Sequence, residues 1–223
     1  MGSNYLTWMA DEFRRHGLSV VEFDGWKTNA RGSGGYESTR PWGVMWHHTA
    51  SSSSPQNDAS YMAVGSQDAP VANVMIDRGG TVWCLAAGAT NTNGKGGPLV
   101  WSMGTVPLDR MNEYAFGMEI CNNGVGEPYP KAQIDCAFAV SNIVNARMGK
   151  LVTDIATHNV WAPTRKIDPA TAIAVQGSWV PRASTSSGTW NLDDIRSECV
   201  KRSQPAPPPE VSTVSGSSSL WMG

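Results

Sequence analysis

The sequence predicts an α/β (α+β) domain, and three observations carry that prediction. Strand-length apolar runs bounded by Gly, Pro and polar clusters lie at residues 43–49, 70–76, 81–86 and 115–121. Helical periodicity occupies separate segments, at the N-terminus, over 131–149 and after residue 190. The 223 residues, 40% of them hydrophobic, suffice for one substantial core.

Leu6, Met9, Ala10 and Phe13 recur at helical spacing and Gly17 offers a stop, so an amphipathic helix opens the chain and packs on the domain. Residues 24–42, rich in Gly, Ser and Arg, read as a loop. Gly43-Val44-Met45-Trp46-His47-His48-Thr49 then reads as a buried strand with polar residues at its C-terminal end, where sheet proteins commonly place chemistry. Side chains alternate along a strand, so His47 and His48 cannot both face one site, and alternation does not choose between them.

Ser51 to Gln56 reads as a polar loop. Pro70–Ile76, the turn Asp77-Arg78-Gly79-Gly80 and Thr81–Ala86 read as a β-hairpin. Gly88 to Gly97 carries four glycines, as a loop that is flexible or closely approached. Ala115–Cys121 is a further apolar strand, interrupted by Glu119. A buried carboxylate is costly unless it is paired or faces a wet cleft; the bland account is a surface glutamate on an edge strand. From Lys131 to Gly149, Ile134, Ala137, Phe138, Val140, Val144 and Met148 fall on one broad helical face, with Ile143 off it. Pro130 and Gly149 mark its ends.

The stretch Thr157–Pro169 packs His158, Lys166 and Asp168 into a loop stiffened by Pro163 and Pro169. Trp190-Asn191-Leu192-Asp193-Asp194 opens a last helix that ends at Lys201-Arg202, with charges that complement its dipole. The expected domain therefore spans 1–203, and the Pro- and Ser-rich residues 204–223 read as a linker or disordered tail.

A formal charge of -2 supplies no basic face for nucleic acid. No run approaches the roughly eighteen apolar residues of a membrane span, so no membrane insertion is expected. Cys84, Cys121, Cys136 and Cys199 lack metal spacing and read as buried free thiols, which suits a reducing compartment. Ten tryptophans against four phenylalanines point to core packing or to groove-lining rings.

One histidine from the strand end, His158 and Asp168 together make a zinc set with a position left open. Glu119 is placed to deprotonate a water, and Lys166 to stabilise the oxyanion that forms at an attacked carbonyl. These residues alone predict a zinc-dependent hydrolase of an amide or ester.

Four motifs now carry a resemblance: Trp46-His47-His48-Thr49-Ala50, Ile76-Asp77-Arg78-Gly79-Gly80-Thr81-Val82, Phe116-Gly117-Met118-Glu119-Ile120-Cys121-Asn122, and His158 through Pro169. In this order, over residues 40–172, the chain resembles the type 2 N-acetylmuramoyl-L-alanine amidases, relatives of the peptidoglycan-recognition proteins. The absence of a signal sequence and the Pro-rich tail make it similar to a phage endolysin catalytic domain.

The resemblance implies a mixed central β-sheet flanked by helices, with zinc in a groove on one face. It selects His47 over His48, and makes His47, His158 and Asp168 the metal ligands, with Glu119 and Lys166 catalytic. It implies bacterial peptidoglycan as partner and a monomer. The protein would stay in the host cytoplasm until a separate holin-like factor lets it reach the wall. Other branches place a tyrosine where this chain has Ala72, so the role of base falls to Glu119; Tyr61 is a neighbouring aromatic candidate. Many relatives also have a histidine in the glycine-rich loop, where this chain has Asn91 and Asn93. The competing class is a peptidoglycan-binding module of the same fold that has lost a zinc ligand.

Overall fold

Parallel pairing of two six-residue apolar runs, 43–48 and 115–120, forms the middle of the sheet on which the chain is built. A computed structural model describes residues 2–170, 175–182 and 189–204. In chain order the elements are α1 (Met9–Arg15), β1 (Val20–Glu22), β2 (Gly43–His48), α2 (Pro55–Ser60), β3 (Val74–Ile76), β4 (Val82–Cys84), β5 (Leu99–Trp101), β6 (Gly104–Val106), β7 (Ala115–Ile120), α3 (Lys131–Arg147), β8 (Ile155–Thr157), α4 (His158–Trp161) and α5 (Leu192–Ser203). Six strands form the central sheet in the order β1-β4-β3-β7-β2-β8, and β5 and β6 form a separate ribbon. Only the β3–β4 pair is antiparallel within the described sheet, so the sheet is mixed.

Alternation divides β2 and β7 between two environments. Val44, Trp46, Phe116 and Met118 pack with Phe13, Phe138, Val140, Trp190 and Ile195, the core beneath α1, α3 and α5. Trp46 Nε1 donates to Ser141 Oγ of α3 at 2.9 Å, so this ring has its polar atom satisfied within the layer. On the opposite face the apolar covering splits. Ala115 joins a cluster with Met45, Ala156 and Trp161, whereas Cys121 joins another with Ala59, Met62 and Met75. Gly117 and Glu119 lie between them on β7 and belong to neither, and this break is where the site forms.

Gly117 is small because something sits on it. A Cβ there would meet Thr92 Oγ1 at 2.1 Å, so the glycine-rich loop lies directly on the sheet. The same loop is closely approached at Gly97, where a Cβ would fall 1.9 Å from the Trp161 ring.

Several boundaries differ from those expected, for local reasons. The loop expected at 51–56 gives way to α2 at Pro55, because Ser54 Oγ caps Asn57 N and proline suits the first helical position. The 157–169 stretch is not one loop: it begins as β8 and turns at once into α4. Strands β1, β5, β6 and β8 are three residues each, too short to declare a period. Ile143, placed off the core face of its helix, is buried, because α3 packs against α1 and α5 as well as the sheet. Glu119 is on a central strand between β3 and β2, not an edge.

Other expectations hold. Gly17 (φ +80°) follows α1, and the four cysteines are free and buried. Trp46, Trp161 and Trp190 are fully buried, so core packing accounts for these three rings. No helix among the described residues is long and apolar enough to cross a membrane. The expected tail lies, beyond Gln204, outside the described residues.

Gly117→Ala should cost about 1–3 kcal/mol by overpacking. Urea denaturation measures it, and a loss below about 0.5 kcal/mol would show that the loop can lift off the sheet freely.

Candidate metal centre

His47 reaches the site because β2 presents it on the interrupted face, in register with Glu119 of β7. His158 arrives from the first residue of α4, immediately after β8 pairs with β2. Asp168 returns to it through a turn held by Asn159. The Asn159 amide donates to Lys166 O at 2.6 Å and its main-chain N–H donates to Asp168 O at 3.2 Å. Thus the three side chains come from three segments, fixed by strand pairing and one clasp.

Their electron-rich atoms converge. His47 Nδ1 and His158 Nδ1 are 2.8 Å apart, and Asp168 Oδ2 lies 3.1 Å from His158 Nδ1 and 3.4 Å from His47 Nδ1. All three residues are buried, and together they could hold a metal ion. The donor chemistry fits one. The far nitrogen of His158, Nε2, lies 3.0 Å from the main-chain carbonyl of Asn93, which can only accept, so that nitrogen carries the proton. Burial, with His47 beside it, holds the His158 imidazolium down to about 4, so the ring is neutral at pH 7 and its Nδ1 is a bare lone pair. Asp168 is buried against the two rings and presents its carboxylate Oδ2 to both Nδ1 atoms. An anion and a bare nitrogen pointing together in a buried site are what a cation there requires.

Glu119 stands beside this group. One of its oxygens, Oε2, is out of solvent with no hydrogen-bond partner, and burial above all raises the carboxyl to about 7. It lines an open cavity of about 500 Å³ together with Thr49, Ser51, Asn57, Asp58 and Tyr61. Lys166 is half-buried, and its charge bears on Glu119, His48 and His158. Tyr61 is largely exposed on the rim, while Ala72 is buried in the satellite core.

His48 points elsewhere, as alternation requires. Its Nδ1 lies 3.0 Å from the Tyr129 hydroxyl, and burial lowers its pKa. Sequence reasoning brought together His47, His158, Asp168, Glu119 and Lys166. It missed Asn159, Arg165 and the part played by Asn93, whose only signal was an asparagine where relatives have a histidine.

A family model described as N-acetylmuramoyl-L-alanine amidase (Amidase_2) matches residues 37–171. The match spans more than half of the chain, and the chain belongs to that family. Among solved structures, a selenomethionine derivative of AmpD is similar at 18% identity and a TM-score of 0.50, over 76% of this chain and 92% of that one. This likeness is one of fold. The N-acetylmuramoyl-L-alanine amidase LysC from Clostridium intestinale URNW aligns at 14% identity and a TM-score of 0.48, over 81% of this chain and 96% of its own. AmiD from E. coli, in complex with the substrate anhydro-N-acetylmuramic acid-L-Ala-D-gamma-Glu-L-Lys, aligns at 19% identity and 0.48, over 73% and 68%. A comparison with curated proteins finds no match.

Proposed function

We propose that this chain is a zinc-dependent N-acetylmuramoyl-L-alanine amidase of bacterial peptidoglycan, acting as a phage endolysin in host lysis. It hydrolyses the amide between the lactyl group of muramic acid and L-alanine. The observation that carries this reading is the convergence of His47 Nδ1, His158 Nδ1 and Asp168 Oδ2 within 3.4 Å of one another, beside a glutamate oxygen with no partner. Family membership supports the bond and the substrate class.

His47, His158 and Asp168 would hold the ion, since two imidazole nitrogens and a carboxylate oxygen suit zinc. Zinc held there would supply a Lewis acid, polarising the amide carbonyl and lowering the pKa of an attacking water toward about 7. Glu119, whose Oε2 has no partner beside the three ligands, is placed to take the proton of the attacking water. The water oxygen bonds to the lactyl carbonyl carbon, and the Lys166 ammonium offsets the negative charge on the carbonyl oxygen. Glu119 then returns its proton to the alanine nitrogen, the C–N bond breaks, and a lactyl acid and a free amine remain. A binding module of this fold that lacks a ligand is disfavoured, because all three ligand positions, the lysine and the glutamate are present.

His47→Ala and Asp168→Ala should each lose zinc and hydrolysis, while His48→Ala, directed at Tyr129, keeps its zinc. Elemental analysis of the purified variants decides it, and full zinc in both ligand variants sinks the ligand set. Glu119→Gln should retain zinc yet lose about 10²–10⁴ in rate. Digested peptidoglycan should gain alanine amino groups and no new reducing sugar ends; a rise in reducing ends instead marks a glycosidase.

The domain of residues 1–203 is sufficient for catalysis in this reading, because the composition of the tail buries no core. A chain ending at Gln204, with α5 complete, should cleave soluble muropeptides at the full-length rate. A collapse in rate with folding intact would assign the tail a part in the site.

A further inference from the structure

We propose that Asn93 is the positioning residue of this centre, accepting the outer ring proton of both histidines. The inference rests on the zinc reading above and adds a residue outside its ligand set. Asn93 Oδ1 lies 3.1 Å from His47 Nε2, and Asn93 O lies 3.0 Å from His158 Nε2. Both acceptors thus belong to one buried residue, on a loop that is separate in sequence from either histidine. With each Nε2–H given to Asn93, each Nδ1 is left to face Asp168. Two nitrogens bare of protons at 2.8 Å repel unless a cation lies against them, so Asn93 holds the rings in an arrangement that a metal relieves.

The structure spends contacts on fixing Asn93 that a surface loop does not need. Its main-chain N–H donates to Asn112 Oδ1 at 2.7 Å. Arg165 Nη2 donates to Asn93 O at 3.1 Å and to Lys95 O at 2.6 Å, so the carbonyl that receives His158 has both lone pairs occupied. Trp161 Nε1 donates to Gly94 O at 3.2 Å, and Gly97 N donates to Trp161 O at 2.7 Å. Thr92 rests on Gly117, one residue along the face from Glu119's row. The loop is therefore gripped on both sides of Asn93, by the sheet and by the segment that follows His158. Because Trp161 and Arg165 lie just beyond His158, the grip also couples this acceptor to the segment that carries that ligand.

The test is zinc affinity, measured by competition with a chelator, on wild type and variants at Asn93. Asn93→Leu keeps the volume and removes the acceptor for His47, so zinc should bind about 10- to 100-fold more weakly. Asn93→Asp offers a carboxylate oxygen in the same place and should recover most of that loss. Proton NMR of the zinc-loaded protein should show two slowly exchanging imidazole N–H resonances, and Asn93→Leu should lose one, that of His47, while the main-chain bond keeps the other. If the leucine variant does not fold, Asn93→Ala, which adds no bulk, takes its place in both measurements. Unchanged zinc affinity, retention of both resonances, or failure of the aspartate to rescue would overturn the assignment. Zinc bound by wild type with no effect at Asn93 overturns this inference alone. A wild-type protein that takes no zinc overturns the metal reading and this inference with it.

Discussion

In-register parallel pairing of β2 with β7 governs the rest of the molecule, because it sets His47 directly beside Glu119 on the face that lacks an apolar cover. Strand side chains repeat every two residues, so a slip of one would carry His47 into the packed core and bring Trp46 to the cleft. Burial on both faces prevents the slip. Val44 and Trp46 are fully buried on one side and Met45 on the other, and Trp46 is tied to α3 through Ser141. The core thus fixes the register and the register fixes the site.

Two polar residues on this framework, Asn73 buried and Glu119 half-buried at the cleft, show opposite ways of meeting the cost of desolvation. Asn73 has its side chain fully used: its Oδ1 accepts from the Tyr36 hydroxyl and from Gly117 N, and its Nδ2 donates to Ala86 O and Gly88 O. Those bonds fasten the start of the glycine-rich loop to β7. Glu119, two residues along the same strand face, has an oxygen with no partner, which costs about 1–3 kcal/mol when left so. Asn73 is satisfied by the protein itself, whereas the Glu119 oxygen at the cleft has no such partner, and burial above all raises the pKa of that carboxyl.

The chemistry-bearing residues were legible because they stand in dense, unusual local contexts. A histidine pair ends an apolar run, a carboxylate interrupts another, and His158, Lys166 and Asp168 crowd into a stretch stiffened by Pro163 and Pro169. The supporting residues were not legible. Asn159 clasps a turn through bonds whose partners are seven and nine residues away, and Asn93 meets His47 and His158 at separations of 46 and 65. An asparagine in a glycine-rich loop looks the same whether it faces water or a buried imidazole.

By itself the sequence determined the class of fold, the long strands and helices, and the set of groups able to hold a metal and move a proton. Periodicity and residue chemistry are local properties, and they survive in one dimension. Strand alternation left the choice between His47 and His48 open, and the tertiary structure sets His47 against Asp168; it alone placed Glu119 on a central strand with an unpartnered oxygen, and Asn93 of the loop crossing Gly117 against both rings. Those outcomes depend on strand order, register and close approach between distant segments, which are set by burial and excluded volume and have no signature within any single stretch of the chain.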